Sequence, residues 1–113
     1  MESMITIKKP EEYQGMEKRV LAPLYSVIDP ELHINIVDMG LIYDIEVDDE
    51  NNIFITMTLS TRFCPMGDAI TGGIQRVLEK TFPEYEVHIE VTFDPPWSLE
   101  RLTPEGVKML MAG

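Results

Sequence analysis

One thiol, Cys64, and two imidazoles, His33 and His88, are the side chains of this chain best suited to nucleophilic or acid–base chemistry near neutral pH. Cys64 stands directly before Pro65, at the start of a predicted helix, where free amides and the helix dipole stabilise a thiolate. Arg62 adds to that effect, while Asp68 and the net charge of −11 oppose it. The same position also suits a small buried apolar residue, the commoner fate of a free cysteine. A single thiol cannot complete a zinc or iron–sulfur site, which takes four ligands. No second cysteine exists, and the histidines lie far apart in sequence, so a metal or cluster on Cys64 would need ligands from a second chain or from outside thiols.

Other residues are weaker candidates. His33 lies in a loop near Asp29 and Glu31, and a solvated loop is the plainer reading than a metal site. His88 falls on the polar side of a strand with Glu90 and Thr92, as an ordinary surface histidine would. Cys64, His33 and Asp38 or Asp94 could on paper form a nucleophile–base–carboxylate trio, as in a small cysteine-dependent hydrolase or transferase. Chains of this size offer such trios by chance. Asp38 and Asp94 equally suit the capping of turn amides. Asp94-Pro95-Pro96-Trp97 is a stiff segment: either Trp97 lids the core or the segment forms a rigid loop beside a site. Gly72-Gly73 falls inside a helix and reads as close packing, with no phosphate-binding loop.

The elements that must position these residues follow from hydrophobic period. Met16, Val20, Leu24, Val27 and Ile28 recur at helical spacing, with Pro23 expected to kink or split the helix. Leu41, Tyr43, Ile45 and Val47 alternate with polar or outward positions, as do Ile53, Ile55, Met57 and Leu59, giving a hairpin across the turn at 49–52. Met66, Ile70, Gly73, Val77 and Leu78 mark a second helix; Val87, Ile89, Val91 and Phe93 mark a third strand. Thr103-Pro104-Glu105 reads as a cap, a first-turn proline and an acid. The expected fold is α+β: a two-layer α-β-β-α-β-α domain with a three-stranded mixed sheet and helices near 11–28, 65–81 and 104–111. Residues 1–9 are expected as a flexible N-terminal arm and 10–113 as one domain. One sheet face is left partly open, which is compatible with a homodimer. A right-handed crossover makes the second and third strands parallel, so Asp38, Cys64, Asp94 and Trp97 should meet at one end of the sheet.

Composition narrows the partners. Hydrophobic residues make up 44% of the 113, enough for a core without disulfides. Twenty acidic against nine basic residues disfavour nucleic acid and anionic membrane. No apolar run approaches the ~20 residues of a membrane span. The first residues lack the basic-then-apolar pattern of a secretory signal. With a lone cysteine, these features make the cytoplasm the expected location.

Three segments together resemble one family. Residues 29–43, from Asp29-Pro30-Glu31 through Asn35-Ile36-Val37-Asp38-Met39-Gly40 to Tyr43, are similar to the long signature of the SufT-like, or PaaD-like, metal–sulfur cluster biosynthetic family. Thr61 to Pro65 resembles its Thr-x-x-x-Cys-Pro loop, and Asp94 to Trp97 its Asp-Pro-Pro-Trp element. The resemblance spans roughly residues 16–111. It implies a fold like the C-terminal domain of NifU. It also implies an accessory role in iron–sulfur cluster assembly or delivery to client apo-proteins, rather than an enzymatic one. Partners would be assembly proteins and clients. Iron or a cluster would be bound transiently, with Cys64 as a ligand shared with another chain or protein. The resemblance makes Cys64 the functional thiol and Asp29, Glu31, Asp38, Thr61, Asp94 and Trp97 the residues lining its site. Arg62-Phe63 departs from the small pair common before the family's cysteine, and a PaaD-type cysteine-rich tail is lacking, so a general SufT-like role fits better. Against it stand the cysteine hydrolase and a passive protein-interaction module.

Overall fold

A computed structural model of the protein describes residues 7–60 and 67–112. Thr61, Cys64, the start of the second predicted helix at 65 and residues 1–6 of the expected arm lie outside the described residues. Helix α1 spans Gly15–Leu24, strands β1 and β2 span Ile42–Val47 and Asn52–Met57, helix α2 spans Gly67–Thr81, strand β3 spans Glu86–Val91 and helix α3 spans Pro104–Ala112. Short 3-10 turns at Pro10–Glu12 and Leu99–Arg101 precede α1 and α3. The sheet order is β1-β2-β3, with β1 antiparallel and β3 parallel to the central β2. This is the expected α+β fold with a mixed three-stranded sheet.

The core lies between the sheet and the two long helices. Ile53, Ile55 and Met57 alternate along β2 and are all buried; Ile70, Ile74 and Leu78 recur every four residues along α2 and meet them in one cluster. The opposite sheet face stays polar or exposed. There Phe54 stacks on His88 with ring centroids 4.9 Å apart, and the imidazole Nε2 lies 3.1 Å from Asn52 Oδ1. Among the described residues no helix is long and apolar enough to cross a membrane.

The first helix differs from its expected span. Residues 11–28 divide into the 3-10 turn and α1, separated by extended backbone at Tyr13 and Gln14. Tyr13 is buried there. Pro23 stands in the final turn, and α1 ends one residue after it. Ser26 then closes that end, its N–H and Oγ both donating to the Pro23 carbonyl, at 3.1 and 2.7 Å. Val27 is buried, but in a return turn; Ile28 pairs with Asn35 in an isolated bridge. Helical spacing alone cannot distinguish a last turn from a return turn that buries the same residues.

Strand β1 also departs from simple alternation. Its register against β2 shifts between Ile42 and Asp44, so one residue is added and Ile42, like Tyr43, is buried. Residues 7–9, at the end of the expected arm, are tied to the outer edge of β1. Lys8 N–H donates to the Tyr43 carbonyl at 3.0 Å, and Lys8 Nζ lies 3.7 Å from Asp44 Oδ1.

Tyr13 gives the fold an alkaline limit. Its hydroxyl is buried with no hydrogen-bond partner. Burial first, then the negative Asp44 and Glu12, push the phenol well above its ordinary value near 10. The folded state therefore holds this proton more tightly than the unfolded chain. The stability this brings is complete below pH ~10 and is lost as pH rises beyond it, by up to about 1.4 kcal/mol per pH unit. Urea midpoints are expected to fall between pH 9 and 11, and the fall should be shallower in Tyr13→Phe. Because the hydroxyl has no partner, Tyr13→Phe should match or exceed wild-type stability at pH 7. Equal alkaline slopes in the two proteins would refute the assignment.

Candidate functional site

The row Ile42–Met57–Val91 crosses all three strands at one end of the sheet. The chain enters β1 there and leaves both β2 and β3 there, as the crossover argument requires. Two described connecting segments consequently share that end, residues 29–41 and residues 92–103, while Cys64 lies outside the described residues.

These two segments are fastened together by three hydrogen bonds, and a fourth ties β1 to the second of them. Trp97 Nε1 donates to the Met39 carbonyl and Tyr43 OH to the Pro95 carbonyl, each at 2.7 Å. Thr103 N–H donates to the Asp38 carbonyl at 2.9 Å, and Thr103 Oγ1 donates to Asp38 Oδ1 at 2.7 Å. Thr103 Oγ1 also accepts from Gly106 N at 3.0 Å, so it caps α3 as expected. The first turn of α3 lies so close to the loop that a Cβ on Gly106 would stand 2.5 Å from the Asp38 carbonyl oxygen.

Asp38 is the centre of this fastening. It is buried, and its second oxygen accepts from Asn35 Nδ2 at 2.7 Å while its own N–H donates to Asn35 Oδ1 at 2.8 Å. A charged group this buried needs such partners. Both carboxylate oxygens thus hold the loop and α3 in place. The charge is still felt outside: together with burial, the larger cause, and Glu11, it raises the Tyr25 phenol above its ordinary value.

The remaining expected site residues fall as follows. Asp29 is buried, and its Oδ1 accepts from the N–H groups of Glu31 and Leu32, at 2.7 and 3.1 Å, while Oδ2 has no partner. Glu31 is exposed. His33 is exposed on a left-handed backbone, φ 59°, and His88 belongs to the open sheet face. Asp94 is exposed and begins the segment that Tyr43 holds; Trp97 is partly buried against the core. Trp97 thus reaches the segment carrying Asp38, and Pro95, the neighbour of Asp94, accepts from Tyr43. Among the described residues no group of three or more His, Cys, Asp or Glu side chains converges as a metal-ligand set. Sequence reasoning missed Asn35 and Tyr43 as fastening residues. An Asn three residues before an Asp was a usable signal for a reciprocal side-chain turn; a hydroxyl contact spanning 52 residues had no local signal.

With this geometry in view, the comparisons with known proteins are specific. The model of the iron–sulfur cluster assembly protein family matches residues 17–92, and the chain belongs to that family. It is 38% identical over 77 residues to the Fe-S protein maturation auxiliary factor SufT of Staphylococcus aureus, covering 68% of this chain and 88% of that one. It is 31% identical over 96 residues to an Fe-S protein maturation auxiliary factor of Porphyromonas gingivalis, covering 85% and 91%. The crystal structure of a domain of unknown function from Bacillus anthracis superposes with a TM-score of 0.82 at 40% identity, covering 86% of this chain and 92% of that chain.

Proposed function

We infer that this protein is an accessory factor in iron–sulfur protein maturation, acting through Cys64 on assembly proteins or client apo-proteins. The observation that carries the reading is the shared row Ile42–Met57–Val91, which brings the signature loop and the Trp97 segment to one end of the sheet, the end at which β2, the strand that precedes Cys64 in sequence, finishes. Family membership and relatives named as maturation auxiliary factors support it. Iron or a cluster is cargo in this reading. Asp38 already spends both oxygens on Asn35 and Thr103, so Cys64 would hold cargo only with ligands contributed by a partner. A binding role is favoured over a cysteine hydrolase because, among the described residues, the exposed His33 imidazole has no hydrogen-bonded carboxylate to orient it.

Cys64→Ser is therefore expected to lower the activity of iron–sulfur enzymes in cells lacking the native gene about tenfold relative to the wild-type complement, with the melting temperature unchanged. Iron and sulfide assays with visible spectra on anaerobically purified protein should show label bound by wild type, with a partner present, and lost in the variant. Full complementation by Cys64→Ser would overturn the reading and favour a passive interaction module. Hydrolytic or transferase turnover lost in both Cys64→Ala and His33→Ala would establish the enzyme instead.

A further inference from the structure

A cavity of about 440 Å³ lies beside the fastened loop. It is enclosed by three separate parts of the chain: residues 7–13, residues 37–42 with Leu21 of α1, and residues 100–104. Most of its wall therefore comes from segments flanking the family-matched region 17–92, so it is not a feature the family match describes. Its volume falls in the range of small-molecule sites, and Leu21, Val37, Ile42 and Leu102 give it an apolar lining.

The charge on its wall is unusual for this chain. Lys8, Lys9 and Arg101 are three of only nine basic residues in a protein of net charge −11. Lys8 is paired with Asp44. Neither Lys9 nor Arg101 makes an ion pair among the described residues. Arg101 is half-buried, its guanidinium held 5.4 Å from the centroid of the Tyr43 ring. Glu11 and Glu100 also border the cavity, exposed to water like Lys9, so the half-buried Arg101 is the charge on this wall that water screens least. A guanidinium held beside apolar walls suits a carboxylate, which it can grip through two parallel hydrogen bonds.

We propose that this cavity binds a small carboxylate with a short apolar chain, its head on Arg101 and Lys9 and its tail against Leu21, Ile42 and Leu102. Acetate lacks the tail and an alkylamine, protonated at neutral pH, carries the opposite charge, so neither satisfies both halves. The proposal is independent of Cys64.

The test is an amide-shift titration of the full chain with octanoate, using acetate and octylamine as controls. Octanoate should give saturable shifts confined to residues 7–13, 37–42 and 100–104, and Cys64→Ser should respond as wild type does. Arg101→Met, and separately the exposed Lys9→Met, should each weaken octanoate binding about tenfold, the loss of one charge-assisted contact. Melting curves of both variants keep the comparison to folded protein. The proposal fails if octanoate produces no saturable shift, if octylamine binds as well as octanoate, or if both variants retain wild-type affinity. Loss of binding in Cys64→Ser would also overturn it, because the site would then belong to the thiol-bearing edge.

Discussion

Replacing Gly40 with alanine is expected to cost about 3–5 kcal/mol, a large share of the 5–15 kcal/mol that typically holds a domain together. Two penalties add. Gly40 has φ +80°, a conformation in which an L side chain is strained by about 1–3 kcal/mol. A Cβ there would also stand 2.3 Å from the Arg101 carbonyl oxygen and 2.9 Å from its carbon. These are backbone atoms, so relief requires residues 99–103 to move away, at a further cost of about 1–3 kcal/mol. Such a shift would loosen the Thr103–Asp38 contact. Urea denaturation should show the loss as a lower midpoint at unchanged slope. A variant within about 1 kcal/mol of wild type would mean that the return segment is not seated on Gly40.

Asp38→Ala should be comparably damaging, at about 3–5 kcal/mol. The carboxylate accepts two short hydrogen bonds, from Asn35 Nδ2 and Thr103 Oγ1, each worth about 1.5–3 kcal/mol to a charged acceptor. Truncation leaves the buried Asn35 amide without its acceptor. Asp38→Asn preserves the shape but places an NH₂ group against one of the two donors, so it should recover only part of the loss. A cycle with Thr103→Val isolates the link to α3. A coupling of about 1–3 kcal/mol is expected, and additive losses would show that Asp38 and Thr103 act separately. Both substitutions should also reduce iron–sulfur enzyme maturation, but in proportion to the folded protein remaining. Cys64→Ser is expected to separate activity from stability, and that contrast distinguishes a residue that builds the site from one that acts in it.

The sequence by itself determined the class of fold. Alternation along 53–57 and helical spacing from Ile70 to Leu78 are local patterns, and burial of Ile53, Ile55, Ile70 and Leu78 reproduces them, while Ile74, which the spacing as read passed over, is buried with them and Gly73 and Val77 are only half-buried. The parallel pairing of β2 and β3 followed from the handedness of a single crossover, and the shared edge followed from that pairing. The signature at 29–43 led to the family that the match over 17–92 shows. What only the tertiary structure decided was how each residue at that edge is used. Asp38 reads in sequence as either a turn cap or a site ligand. The answer depends on Thr103, 65 residues away, and on the carbonyl that Trp97 reaches from 58 residues away. The break at Tyr13 and the extra residue in β1 were likewise invisible, since each follows from burial or strand pairing that no local period records. The cavity shows the same limit: Lys9 and Arg101 are 92 positions apart and border one space only in the folded chain.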